Sequence, residues 1–145
     1  IAAQIANTAR EMADILKKQR HVIPMNMMIA DPTEALVLEI GLSQVVERTG
    51  EDGVIAASNW FRAPSMYSDA VACDRYDALV SAARLHHGAF TVENMKTALF
   101  EARMKGLNLH AVIFEPASGK IHVSINREPA TEGPYSTFDL EKLLE

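Results

Sequence analysis

Cysteine is almost missing from this chain: Cys73 is the only one in 145 residues. No intrachain disulfide can form, and no thiolate metal cluster can be built without other ligand types. Glycine is sparse as well, and Gly50, Gly53, Gly88, Gly106, Gly119 and Gly133 are too dispersed for a phosphate-cradling loop. Positive charge is not in excess, since 14 Lys and Arg stand against 19 Asp and Glu for a formal net charge of −5. The basic footprint that drives binding to a polyanion is lacking, so nucleic acid is not an expected partner. Long apolar runs are also missing. The stretches Ala35 to Leu38 and Val54 to Ala57 fall well short of the ~20 residues that a membrane-spanning helix needs. No membrane is expected, and a soluble setting follows, with the cytoplasm as the first expectation.

What is present is an ordinary globular composition, 48% hydrophobic and 23% charged over about one domain's length. The chain opens Ile1-Ala2-Ala3-Gln4-Ile5 with no Met, no signal segment and no polar cap, as if cut from something longer. Ile5, Ala9, Met12 and Leu16 recur at helical spacing, which predicts an amphipathic helix already running at residue 1 and ended by Pro24. Four strands follow over 25–30, 35–40, 44–47 and 54–58, separated by Asp31-Pro32-Thr33, Gly41-Leu42-Ser43 and Thr49-Gly50-Glu51-Asp52-Gly53. Their short connections imply an antiparallel sheet. From Ser68 a helical period brings Ala72, Tyr76, Leu79 or Val80, and Ala83 onto one face and stops at Gly88. Thr91 reads as the cap of a second helix over 92–104, with Met95, Ala98, Leu99 and Ala102 facing inward. Strands over 109–114 and 120–126 flank a turn at Glu115 to Gly119, residues 127–136 read as loop, and Thr137 caps a last short helix. The order αββββααββα defines an α+β fold, mostly antiparallel sheet flanked by helices.

Few residues offer chemistry. Cys73 lies in the first turns of the predicted helix beside Asp74, whose charge disfavours a thiolate, so a buried structural thiol is the plainer reading. The histidines at 21, 86, 87, 110 and 122 lack the i, i+4 spacing of a helical metal pair, and no metal site is expected. No Gly-x-Ser-x-Gly elbow is present to anchor a serine nucleophile. Asn59, in Ala57-Ser58-Asn59-Trp60-Phe61-Arg62, stands where a strand runs out. It either starts a turn or donates a hydrogen bond to a developing oxyanion. Arg75 lies near a helix start and either makes a surface ion pair with Asp74 or Asp77 or holds a reacting group in its planar fork.

These motifs, in their order, resemble the C-terminal half of an N-terminal-nucleophile (Ntn) hydrolase of the isopenicillin N acyltransferase-like family, which has many bacterial members. Asn26 to Asp31 with Ala35 to Glu39 is similar to the family's hairpin, Ala57 to Phe61 to its Thr-Asn-His-Phe element, and Asp74-Arg75-Tyr76 to its Ser-Arg helix start. Ala111 to Pro116 and Gly119 to Val123 resemble its closing hairpin, so that the likeness spans nearly the whole chain. The resemblance implies that residues 1–145 are the C-terminal portion of a single αββα four-layer sandwich acting on an amide or acyl thioester through a covalent acyl-enzyme. It needs no cofactor, because a cysteine freed by autoproteolysis uses its own α-amino group as base. Asn59 would be the oxyanion donor and Arg75 would order the nucleophile pocket, although Asp74 replaces the expected Ser. Trp60 and Phe61 would line the pocket of a small-molecule acyl substrate, with Trp60, where relatives often carry His, favouring an apolar acyl group.

Residue 1 is Ile, so the resemblance places the nucleophile on an upstream fragment or subunit, and the chain alone is expected to be inert. Such a half would expose an apolar sheet face to that partner; self-association into a homo-oligomer is compatible with the same feature. The competing reading is a non-catalytic α+β module that binds a ligand or partner.

Overall fold

The structure, a computed structural model, describes residues 5–66, 71–104 and 106–143. It is an α+β protein with two three-stranded antiparallel sheets, in two compact units, Ile1–Cys73 and Asp74–Glu145.

In the first unit, helix α1 (Ala9–Lys17) precedes strands β1 (Met25–Ala30), β2 (Ala35–Ile40) and β3 (Val45–Thr49), ordered β1-β2-β3. Ile5 is helical, but residues 6–8 interrupt the single helix that the apolar period suggests, and α1 ends at Lys17 rather than at Pro24; the expected start at residue 1 lies outside the described residues. Thr8 is its cap, accepting the Glu11 N–H, and the Glu11 carboxylate accepts the Asn7 N–H in return. At the other end the amides of Lys18 and Gln19 fall back onto the carbonyls of Ile15 and Leu16, and His21 Nε2 bonds the Leu16 carbonyl oxygen. The last turn is thus closed well before Pro24.

Alternation along β2 decides the packing. Leu36, Leu38 and Ile40 are fully buried beneath Ala9, Ala13, Met12 and Leu16 of α1, joined by Met27, Ile29 and Val45 from the neighbouring strands. Each fully buried Leu or Ile side chain stabilises by ~1.5–3 kcal/mol, and the two alanines let helix and sheet approach closely. The opposite face carries Asn26, Glu39 and Arg48. It is covered by the segment that follows β3.

That segment is not the expected fourth strand. Glu51 and Val54 form only an isolated bridge, and residues 55–58 run outside any sheet. The reason is polar: carbonyls at Ala56 and Ser58 that would join a ladder are taken by side chains of β3 and β1, as set out below. A short 3₁₀ turn follows at Pro64–Met66.

Asp31 fastens the β1–β2 turn to the helix. Its carboxylate accepts the N–H groups of Ala9 and Glu34, each at 2.8 Å, and the N–H and hydroxyl of Thr33, each at 2.7 Å. These donors, the Ala9 N–H foremost, hold its carboxyl well below the usual carboxylate range. Glu47 is also lowered, by Lys17 first and then Arg10. Folded values below the unfolded ones mean that this stability is complete above the ordinary carboxylate range and is lost as pH falls through it. Denaturant midpoints are therefore expected to fall steeply below about pH 4. Asp31→Asn should be weaker already at neutral pH and flatter on the acid side, and an unchanged acid limb would remove Asp31 as the anchor.

The second unit is a helical hairpin followed by a sheet. Helix α2 (Asp74–Leu85) packs against α3 (Val92–Glu101), and β4 (His110–Glu115), β5 (Lys120–Ile125) and β6 (Ser136–Asp139) pair in that order before the single turn α4 (Leu140–Leu143). The expected start of α2 at Ser68 lies outside the described residues; residues 71–73 are not helical, and Ala72 is exposed ahead of the helix. Tyr76, Leu79, Val80 and Ala83 are on the helix but half-buried. Thr91 caps α3 through a reciprocal box with Asn94, and Ala98 is the inward residue that is fully buried. The helix stops at Glu101, short of Met104.

The stretch 127–136 is not all loop. It holds a 3₁₀ turn at Ala130–Glu132, and the chain then re-enters the sheet as β6. Thr137 is accordingly a strand residue opposite His122, and Asp139 accepts the Glu141 N–H at the start of α4 in the role expected of Thr137. Among the described residues the elements from Ala9 onward run αβββααβββα.

Candidate functional site

The candidate site in the first unit is built on three polar residues that the sheet holds on its helix-free face. Asn26 on β1 stands opposite Glu39 on β2, and Glu39 lies diagonally from Arg48 on β3, two residues along from Val46. Glu39 is fully buried. Its Oε1 accepts Arg48 Nε at 2.5 Å and the Arg62 N–H at 2.7 Å, while its Oε2 accepts the Ala63 N–H at 2.8 Å. Arg48 Nη2 donates to the Ala56 carbonyl at 2.9 Å. A carboxylate this deep is tolerable only because cation and amides saturate it.

Asn26 works on the same segment from the other side. Its Nδ2 donates to the Ser58 carbonyl at 2.7 Å and to the Trp60 carbonyl at 3.0 Å, gripping the backbone on both sides of Asn59. Its Oδ1 is buried with no hydrogen-bond partner, a cost of ~1–3 kcal/mol that the clamp carries. Arg62 continues the network by donating from Nη1 to the Val71 carbonyl at 2.9 Å. Cys73 is buried with its Sγ 3.5 Å from Ser58 Oγ, one residue ahead of α2 rather than in its first turns.

The outcome is a segment from Ala56 to Ala63 whose backbone is fastened at five points while Asn59 and Trp60 stay exposed, Trp60 at 51%. Phe61 is half-buried beside them. Asn59 follows an extended segment instead of a strand end, yet its position is over-determined, which is what a hydrogen-bond donor to a developing charge requires. Arg75 belongs to the second unit, as the second residue of α2, and is half-buried.

The exposed residues Asn59 and Trp60 stand out in the sequence by type, whereas Asn26, Glu39 and Arg48, which fasten the segment, do not. One signal was available: Glu39 interrupts the otherwise apolar run Ala35 to Ile40, and a carboxylate inside a buried strand demands a partner. Among the described residues no three His, Cys, Asp or Glu side chains are grouped to hold a metal ion, and no helix is long and apolar enough to cross a membrane.

Comparison of the chain with protein-family models, curated proteins and solved structures finds no match.

Proposed function

We propose that this chain is the C-terminal part of an Ntn-type amidohydrolase or acyltransferase that forms a covalent acyl-enzyme, with the nucleophile on polypeptide outside residues 1–145. The observation that carries the reading is the clamped segment: buried Glu39 with half-buried Asn26 and Arg48 fixes the backbone on either side of an exposed Asn59. Asn59 donates to the oxyanion, Trp60 and Phe61 contact an apolar acyl group, and Arg75 orders the nucleophile pocket.

A second feature supports the four-layer sandwich. On the sheet of the second unit, alternation buries Ala111, Ile113, His122 and Ser124 on one side. The other side presents Val112, Phe114, Ile121, Val123, Ile125 and Phe138, with Phe114 63%, Ile125 52% and Phe138 41% exposed. An apolar sheet face of this kind is suited to packing against another sheet about 10 Å away, and in this reading the upstream piece supplies it.

The test is to express the gene product with its natural upstream sequence and determine intact masses and amino-terminal residues. Self-cleavage that leaves a co-purifying chain beginning with Cys is the expected result. A single uncleaved polypeptide that folds and takes up no acyl group would leave the binding-module reading in its place. Arg75→Lys keeps the charge and loses the planar fork; acyl-enzyme formation by mass spectrometry should fall at least about tenfold, and full retention would remove Arg75 from the site.

A further inference from the structure

The second unit contains a cluster that the Asn59 reading does not use. His122 sits in the middle of β5 on the covered face of the sheet and is 8% exposed. Thr137 on β6 is directly opposite it, and Glu115 on β4 is the partner of Lys120, two positions away. Thr137 Oγ1 lies 2.9 Å from His122 Nδ1, and Glu115 Oε1 lies 2.7 Å from His122 Nε2.

The pairing fixes the tautomer of the neutral ring. A carboxylate only accepts, so Nε2 carries the proton, Nδ1 offers its lone pair, and the Thr137 hydroxyl donates to it. Carboxylate, imidazole and hydroxyl thereby stand in series at hydrogen-bond distance, which is the arrangement that activates an alcohol toward acyl groups. Burial separates the roles: the imidazole is shielded and held at both nitrogens, while Thr137 is exposed on the edge strand.

We infer that Glu115, His122 and Thr137 form a second nucleophilic site, at which Thr137 Oγ1 takes a small acyl group from an activated ester or thioester. The bond from Oγ1 to the acyl carbon forms as the bond from that carbon to the leaving oxygen or sulfur breaks. The hydroxyl proton passes to His122 Nδ1, Glu115 stabilises the imidazolium, and the proton then goes to the leaving group. The branched secondary alcohol restricts the acyl group to a small one. This inference stands independently of the role given to Asn59.

Incubation of the protein with p-nitrophenyl acetate, followed by peptide mass mapping, tests it. Acetylation of Thr137 is expected to be about a hundredfold faster than that of Thr97, in keeping with the usual worth of a positioned base; Thr97 is an exposed threonine whose hydroxyl donates to the Glu93 carbonyl. Thr137→Val should abolish the label and Thr137→Ser should keep it. Because His122→Gln disturbs a buried position, the decisive variant is Glu115→Gln, equal in size and half-exposed. With circular dichroism unchanged, it should slow Thr137 labelling at least about tenfold. Acetyl groups on lysines and the amino terminus alone, or a Thr137 label indifferent to Glu115→Gln, would overturn the site.

Discussion

Replacing Asn59 by alanine in the protein with its upstream segment is expected to slow acylation by about 10²–10³-fold, the usual loss when one oxyanion donor is removed. Thermal unfolding should move little, since an exposed side chain outside the core typically contributes within about 0.5 kcal/mol. The separation of the two readouts follows from the geometry. Asn26 and Glu39 hold the backbone of Ser58, Trp60, Arg62 and Ala63 without using the Asn59 side chain. Single-turnover mass spectrometry of the acyl-enzyme together with calorimetric unfolding checks the pair. Parallel losses in both would make Asn59 a turn residue and withdraw it from the site.

The opposite pattern is expected at Glu39. Glu39→Ala removes the acceptor of Arg48 Nε and of the Arg62 and Ala63 amides at one stroke. A half-dismantled buried pair costs about 3–5 kcal/mol, a large share of the 5–15 kcal/mol that holds a typical domain together. Urea denaturation should show a fall of that size, with acyl-enzyme formation lost alongside it as the Asn59 segment slackens. Removing both charges, as in Glu39→Leu with Arg48→Met, should restore part of the stability while the two amides stay unpaired. A loss below about 1 kcal/mol in Glu39→Ala would mean that water replaces the carboxylate and that the segment does not depend on it.

The two variants also mark what the amino-acid order discloses. The ranges of β1 and β2 are legible to the residue because Asp31-Pro32-Thr33 and Gly41 punctuate apolar runs of strand length. Thr91 announces α3 through a cap that needs only its own neighbourhood. Elements fixed by distant partners are not legible in the same way. Residues 54–58 have the composition of a strand, yet Arg48 and Asn26 claim the backbone carbonyls of Ala56 and Ser58. Thr137 resembles a helix cap until β5 offers its residues a ladder. Asn59 and Trp60 can be noticed by type alone. Asn26 and Arg48 join the site only once the register of three strands brings them to one face.

Trp60 carries a practical consequence. It is the only indole in the chain, half exposed and next to Asn59, with its carbonyl tethered by Asn26. Intrinsic fluorescence excited at the red edge of the protein band therefore reads the polarity around this one loop, giving an optical gauge of its occupancy that requires no label.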